Sequence, residues 1–263
     1  MEKLLVYGVH FITIFSGLLI FYYIPTTIAY YVLYMRNKEK FKQFKIQQKY
    51  PTSNQIKREI KYSTISLFIF SVAGLAIYEY SIKGLTGMYF KIRDYGILYF
   101  FMSLFITIFV NDTLFYWSHR FMHIKRIFRH VHLLHHKSTS PTPFAVFSFS
   151  PAEALIHSFV YSLLILLIPI HVTMFIVFHL YNMVTNLAGH AGFEFMAEKV
   201  HKHWFFNWQN TVTNHDVHHK NFNCNYSNYF LFWDKMMNTL SAKNTIASGK
   251  VKTAEGLIAT ENM

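Results

Sequence analysis

PAEALIHSFVYSLLILLIPIHVTMFIVFHLYNMVTNL, residues 151–187, is the stretch whose length decides the fold. A membrane-spanning helix needs about 20 apolar residues, so this run is too long for one span and short for two loosely joined ones. Pro169 stands near its middle. A tight helical hairpin turning there satisfies the length and returns both ends to one side of the bilayer. Three more apolar stretches precede it: Leu4–Met35, interrupted by Pro25, then Tyr62–Tyr80 and Tyr95–Trp117. The second and third are single spans. The first is one long span, or a span followed by a surface turn after Pro25.

Composition agrees with a membrane protein. The 263 residues are 52% hydrophobic and 19% aromatic, and only 14% are charged. Soluble domains average nearer 25% charged. The net charge of +12 fits an anionic membrane face or an acidic partner. One cysteine, Cys224, rules out an internal disulfide and a cysteine-based metal site. No glycine-rich nucleotide loop is present, and nucleic acid is not an expected partner. The segment 36–61 concentrates Lys and Arg and is expected to be cytoplasmic. The expected fold is all-α, with about four transmembrane helices in two hairpins under a cytoplasmic helical cap. Residues 1–240 are read as one domain and 241–263 as a flexible tail. Residues 118–138 are read as helical, ended by the Ser-Thr-Ser-Pro-Thr-Pro run at 138–143.

Eight histidines fall in three tight clusters: His119 and His123; His132, His135 and His136; His215, His218 and His219. The spacings are HxxxH, HxxHH and HxxHH. Residues three and four apart share a helix face, so each cluster is expected to aim two or three imidazoles at one point. Neutral imidazole is the commonest metal ligand, and eight exceed the needs of one ion. The hairpin brings the third cluster to the side of the first two. Imidazole alone leaves Fe, Zn, Cu and Ni open.

These motifs resemble the fatty acid hydroxylase and sterol desaturase superfamily of integral-membrane, non-haem di-iron enzymes, and most closely its sterol C5-desaturase-like branch. The resemblance covers about 112–240 and rests on Asp112, Tyr116-Trp117-Ser118-His119-Arg120, His123, Pro141-Thr142-Pro143-Phe144 and Pro151-Ala152-Glu153. It closes with Asn223-Cys224-Asn225-Tyr226, Tyr229-Phe230 and Phe232-Trp233-Asp234-Lys235. It implies that the eight clustered histidines ligate two Fe ions and that His190, in Gly189-His190-Ala191-Gly192, is a ninth ligand. It implies an O2-dependent oxidoreductase that desaturates or hydroxylates a membrane lipid, with a sterol-type substrate favoured. Electrons would come from a carrier such as cytochrome b5 or a ferredoxin. The membrane would be the endoplasmic reticulum in a eukaryote and the inner membrane in a bacterium.

Carboxylates often orient metal-bound imidazoles. Asp112, Glu153, Glu194, Asp216 and Asp234 flank the clusters and are the candidates for that role, with Asp112, two helical turns before His119, favoured. Tyr116, Trp117, Phe121, Tyr226, Tyr229 and Trp233 are read as channel-lining or interfacial aromatics. Lys125, Arg126, Arg129, Lys137, Lys199, Lys202 and Lys220 surround the clusters and would attract an acidic electron donor. Two other readings stay open: a fatty acyl or alkyl-glycerol hydroxylase, and a non-enzymatic zinc transporter or metal-binding membrane protein.

Overall fold

A computed structural model describes residues 1–241. Apart from Ser241, the expected C-terminal tail lies outside the described residues.

Helix α1 (Glu2–Tyr30) runs unbroken through Pro25 and continues as a π-helical turn over Tyr31–Arg36. One long span is therefore formed, and no surface turn follows Pro25. The buried face carrying Tyr22 and Thr26 packs on the next long helix and holds the two halves in line. A short helix α2 (Lys38–Phe41) leads into the basic loop. Helix α3 (Ser53–Ile82) starts inside that loop, capped by the Thr52 hydroxyl, which accepts from the Gln55 amide at 3.2 Å. Strand β1 (Met88–Tyr89) and helix α4 (Gly96–Met122) follow.

The chain then departs from the expected single helix. It breaks after Met122 and again at His132, giving α5 (Lys125–Val131) and α6 (Leu133–His136). A continuous helix rises about 1.5 Å per residue and would leave His119 and His132 about 20 Å apart. The two breaks fold the chain back and bring their rings into contact.

Residues 151–187 form the expected hairpin. Helix α7 (Pro151–Leu167) starts at a Ser150 cap, turns through strand β2 (Ile170–His171) and returns as α8 (Val172–His190). At about 1.5 Å per residue the 17-residue α7 is about 26 Å long and the 19-residue α8 about 28 Å, against about 30 Å for a bilayer's hydrocarbon core. The turn reaches the far end of the bundle. There β2 pairs in parallel with β1, and the Gly87 N–H donates to the Ile165 carbonyl at 2.8 Å. A Cβ on Gly87 would stand 2.7 Å from the Ile168 carbonyl oxygen, so only glycine permits this approach. Three short helices follow within the described residues: α9 (Glu198–Lys202), α10 (Val212–Asn221) and α11 (Phe232–Met236).

Among the described residues, four helices have the length and apolarity to cross a membrane: α1 with its π-turn, α3, α4 and α8. Helix α1 packs on α3, and α4 packs on both arms of the hairpin. One core cluster joins Tyr22, Leu67, Phe144, Val146 and Met183; another joins Ile108, Leu164, Ile168, Phe178 and Tyr229. The basic loop closes the end opposite the β pairing. Its Phe44 carbonyl accepts from the Glu194 amide at 2.8 Å, and the Ile46 amide donates to the Gly192 carbonyl at 3.1 Å. Loop and histidines thus share one end of the bundle.

Candidate metal centre

The nine histidines gather into two adjoining groups. The first is His119, His123, His132, His136 and His218; the second is His135, His190, His215 and His219. Within each group one nitrogen per ring lies within 4.8 Å of all the others. The groups touch through His136 and His219, whose ring centroids are 4.8 Å apart.

The division corrects the expectation that each cluster serves one point. Both HxxHH clusters split. His132 and His136 enter the first group while His135 enters the second; His215 and His219 enter the second while His218 enters the first. Helical geometry explains it. Positions i and i+4 are about 40° apart around the axis, whereas adjacent residues diverge by about 100°. The outer pair of HxxHH therefore shares a point, and the inner histidine is turned toward a neighbouring one.

The groups are assembled by their second nitrogens. His119 Nδ1 donates to the Tyr226 carbonyl at 2.8 Å, His218 Nδ1 to the Cys224 carbonyl at 2.7 Å, and His190 Nδ1 to the Asn186 carbonyl at 2.8 Å. Carbonyl oxygens only accept, so Nδ1 holds the proton and Nε2 presents a lone pair. His132 Nδ1 is held at 2.6 Å by the buried Glu153 carboxylate. The Nε2 lone pairs of His119 and His132 then face each other at 3.0 Å, and the Nε2 atoms of His215 and His135 approach that of His190 at 3.1 Å and 3.4 Å. His218 Nε2 is buried with no hydrogen-bond partner. Facing lone pairs at such distances repel unless a cation stands between them. The donor sets therefore fit metal ions.

Electrostatics keep the rings in the ligating state. Burial pushes the His123 imidazole down to about 2, helped by the neighbouring His119. Burial, reinforced by adjacent imidazoles, likewise holds His132, His135, His136, His215, His218 and His219 well below the ordinary histidine range. Neutral rings keep a lone pair free for a metal.

The carboxylates divide by role. Glu153 orients His132 directly. Asp112 touches no histidine; it accepts from the Tyr229 amide at 2.7 Å and the Phe230 amide at 3.4 Å. Seven residues do return to the same helix face, but about 10 Å further along the axis, so Asp112 sits one level too deep. Asp216 also faces away from the rings and accepts from Gln47 Nε2 at 2.6 Å, tying α10 to the basic loop. Burial raises Asp216 to about 6. Asp234, one of the flanking carboxylates, acts one step removed from the rings. Its carboxylate accepts from the Tyr226 and Ser227 amides, both at 2.9 Å, and so fixes the carbonyl that holds His119. The sequence does not single out Gln47. Asn225, between the two residues whose carbonyls accept from His119 and His218, has a left-handed backbone, φ 57°.

Of the flagged aromatics, Tyr229 lines the cavity beside the second group. Tyr116 is buried and stacks on Trp233, while Trp117 and Phe121 are exposed. The seven basic residues around the clusters are all exposed. That cavity, of about 280 Å³, is bounded by His190 and His215 on one side and by α8 and the 208–212 and 228–229 segments elsewhere.

Fold and site define a multi-pass membrane protein of the histidine-box type. A family model described as fatty acid hydroxylase matches residues 104–239, and the chain belongs to that family. It lies on the sterol desaturase-like branch and is an oxidoreductase acting on lipids. It is 28% identical over 222 residues to lathosterol oxidase of Rattus norvegicus, which covers 84% of this chain and 70% of that protein. It is 28% identical over 218 residues to Delta(7)-sterol 5(6)-desaturase ERG3B of Gibberella zeae, covering 83% of this chain and 64% of that one. Cholesterol 25-hydroxylase of Rattus norvegicus is 32% identical over 136 residues, 51% of this chain and 45% of that one. No solved structure matches.

Proposed function

We propose that His119, His123, His132, His136 and His218 hold one iron ion and that His135, His190, His215 and His219 hold a second. The facing Nε2 atoms carry this reading. A bound iron pair supplies the activation of O2 that attack on an unactivated C–H bond requires. The protein's own residues do the rest. The Tyr226, Cys224 and Asn186 carbonyls and the Glu153 carboxylate hold the Nδ1 protons and fix the ring orientations. Burial of the rings keeps bulk water from the centre and keeps the imidazoles neutral. The cavity against His190 and His215 offers a lipid C–H a route to the second group.

The reaction is O2-dependent desaturation or hydroxylation of a membrane lipid, with a sterol-type lipid the favoured substrate on the likeness to sterol desaturases. Desaturation takes a –CH2–CH2– unit, O2, two electrons and two protons to –CH=CH– and two waters. Hydroxylation takes a C–H, O2, two electrons and two protons to C–OH and one water. The two electrons arrive singly from an external carrier such as cytochrome b5 or a ferredoxin. The exposed Lys125, Arg126, Arg129, Lys137 and Lys220 offer such an acidic carrier a docking face. The basic loop shares the histidine end of the bundle, so the positive-inside rule puts the centre on the cytoplasmic side.

The test is direct. Purified full-length protein is assayed for metal, then given O2, a reductant and a panel of sterol and acyl lipids. Two irons per chain and an O2-dependent loss of hydrogen from, or gain of oxygen by, one lipid are expected. A protein carrying one labile zinc and altering no lipid refutes the assignment.

A further inference from the structure

The cavity beside the second histidine group is polar where it meets the site. Most of its polar groups are already engaged. The Asn210 amide donates to the Ser227 carbonyl at 2.7 Å and accepts from the Thr211 amide at 3.0 Å. The Glu194 carboxylate accepts from the Thr213 amide, the Thr213 hydroxyl and the Met196 amide. Gln209 and Asn228 differ: both line the cavity, and among the described residues neither side-chain amide has a hydrogen-bond partner. Each offers a donor and an acceptor, the pair that a hydroxyl group needs. No uncommitted charge faces the cavity, and the Glu194 carboxylate would repel an anionic head.

The cavity borders an exposed apolar face. On α8, Ile176, Leu180 and Val184 form an exposed stripe at four-residue spacing, the outward face of a membrane helix. Tyr181 and Thr185, beside that stripe, line the cavity. Tyr181 lies nine residues before His190, about 13 Å along the helix axis, so the cavity runs from bilayer depth up to the histidines. Trp208 forms the opposite rim and is partly exposed, with exposed Trp204 and Phe205 before it. Such aromatics suit the headgroup level of a membrane.

We propose that Gln209 and Asn228 are the residues of this cavity that select the substrate, their side-chain amides binding the hydroxyl that a sterol-type lipid carries. The inference rests on the reading that His190 and His215 belong to the oxidising centre. A methylene in the middle of an acyl chain would instead call for an apolar wall next to the histidines. Gln209 and Asn228 are thus specificity-determining residues.

The experiment measures equilibrium binding to full-length protein in nanodiscs, before and after metal removal. The probes are a sterol alcohol and a 1-alkylglycerol, each beside its O-methyl ether. The ether keeps the carbon skeleton but loses the hydroxyl donor. The sterol alcohol is expected to bind about tenfold more tightly than its ether, the worth of one good hydrogen bond. Gln209→Met and Asn228→Leu are expected to remove that preference while leaving ether binding unchanged. Equal binding of alcohol and ether by the unsubstituted protein overturns the proposal, and needs no variant to fold. So does full alcohol preference in both variants. Binding is read without turnover, so absent iron or absent oxidation strikes the function alone, and lost alcohol preference strikes this inference alone.

Discussion

Removal of the Glu153 carboxylate should weaken one metal and spare the other. Glu153 is fully buried, its Oε1 holds His132 Nδ1 at 2.6 Å, and His132 serves the first group alone. Glu153→Gln keeps an acceptor but loses the charge; Glu153→Ala leaves a buried N–H with nothing to donate to. A hydrogen bond to a charged group contributes about 1.5–3 kcal/mol. At about 1.4 kcal/mol per tenfold, Gln should cost roughly tenfold and Ala roughly a hundredfold in affinity at that site, matching the usual 10–100-fold effect of such partners. The assay is a graded chelator titration with iron counted per chain. Wild type should release its irons at similar chelator strength; Glu153→Ala should release one early and one late. Loss of both together, or retention of both at wild-type strength, refutes the orienting role.

The split clusters make a second prediction: His132→Ala and His135→Ala, three residues apart, should deplete different irons, read as distinct changes in the iron spectrum. Identical spectra would refute the division. The pH dependence has a definite sign. Unfolded imidazoles take up protons near 6.5, while the folded rings outside the spans are held neutral far below it, so the unfolded state binds more protons in acid. Metal-stripped protein should therefore lose thermal stability as pH falls below 6.5, and an unchanged melting midpoint there would contradict the burial argument. Replacing Lys125, Arg126 and Lys220 together by Gln should slow turnover with a protein donor several-fold, more at low salt, and spare turnover with a small reductant. Equal losses with both reductants would rule out donor docking.

The hairpin was legible because its length admits one solution, and Pro169 marks the turn. The histidines were legible as chemistry because their spacing is improbable otherwise. The split within each HxxHH follows from its spacing, but which halves meet was not legible: that depends on the break at His132, where nothing in Arg-His-Val-His-Leu-Leu signals a helix end. Asp112 was misread because periodicity gives the face of a helix and not the depth at which its partners lie. Backbone carbonyls have no residue signature, so the Cys224, Tyr226 and Asn186 contacts stay hidden until the fold is known.

The order in which the ligands leave the ribosome carries a consequence for biogenesis. His119, His123, His132, His135 and His136 emerge first, His190 after the hairpin, and the α10 residues last. Until α10 docks, the earlier group lacks His218 and the later one lacks His215 and His219. If the two groups hold metal as proposed, neither has its full ligand set while the helices are being inserted, and loading would be a late, post-insertion event that waits on the ten-residue α10 and not on the long apolar helices. A nascent chain stalled before residue 212 would be fully threaded into the bilayer yet unable to complete either centre.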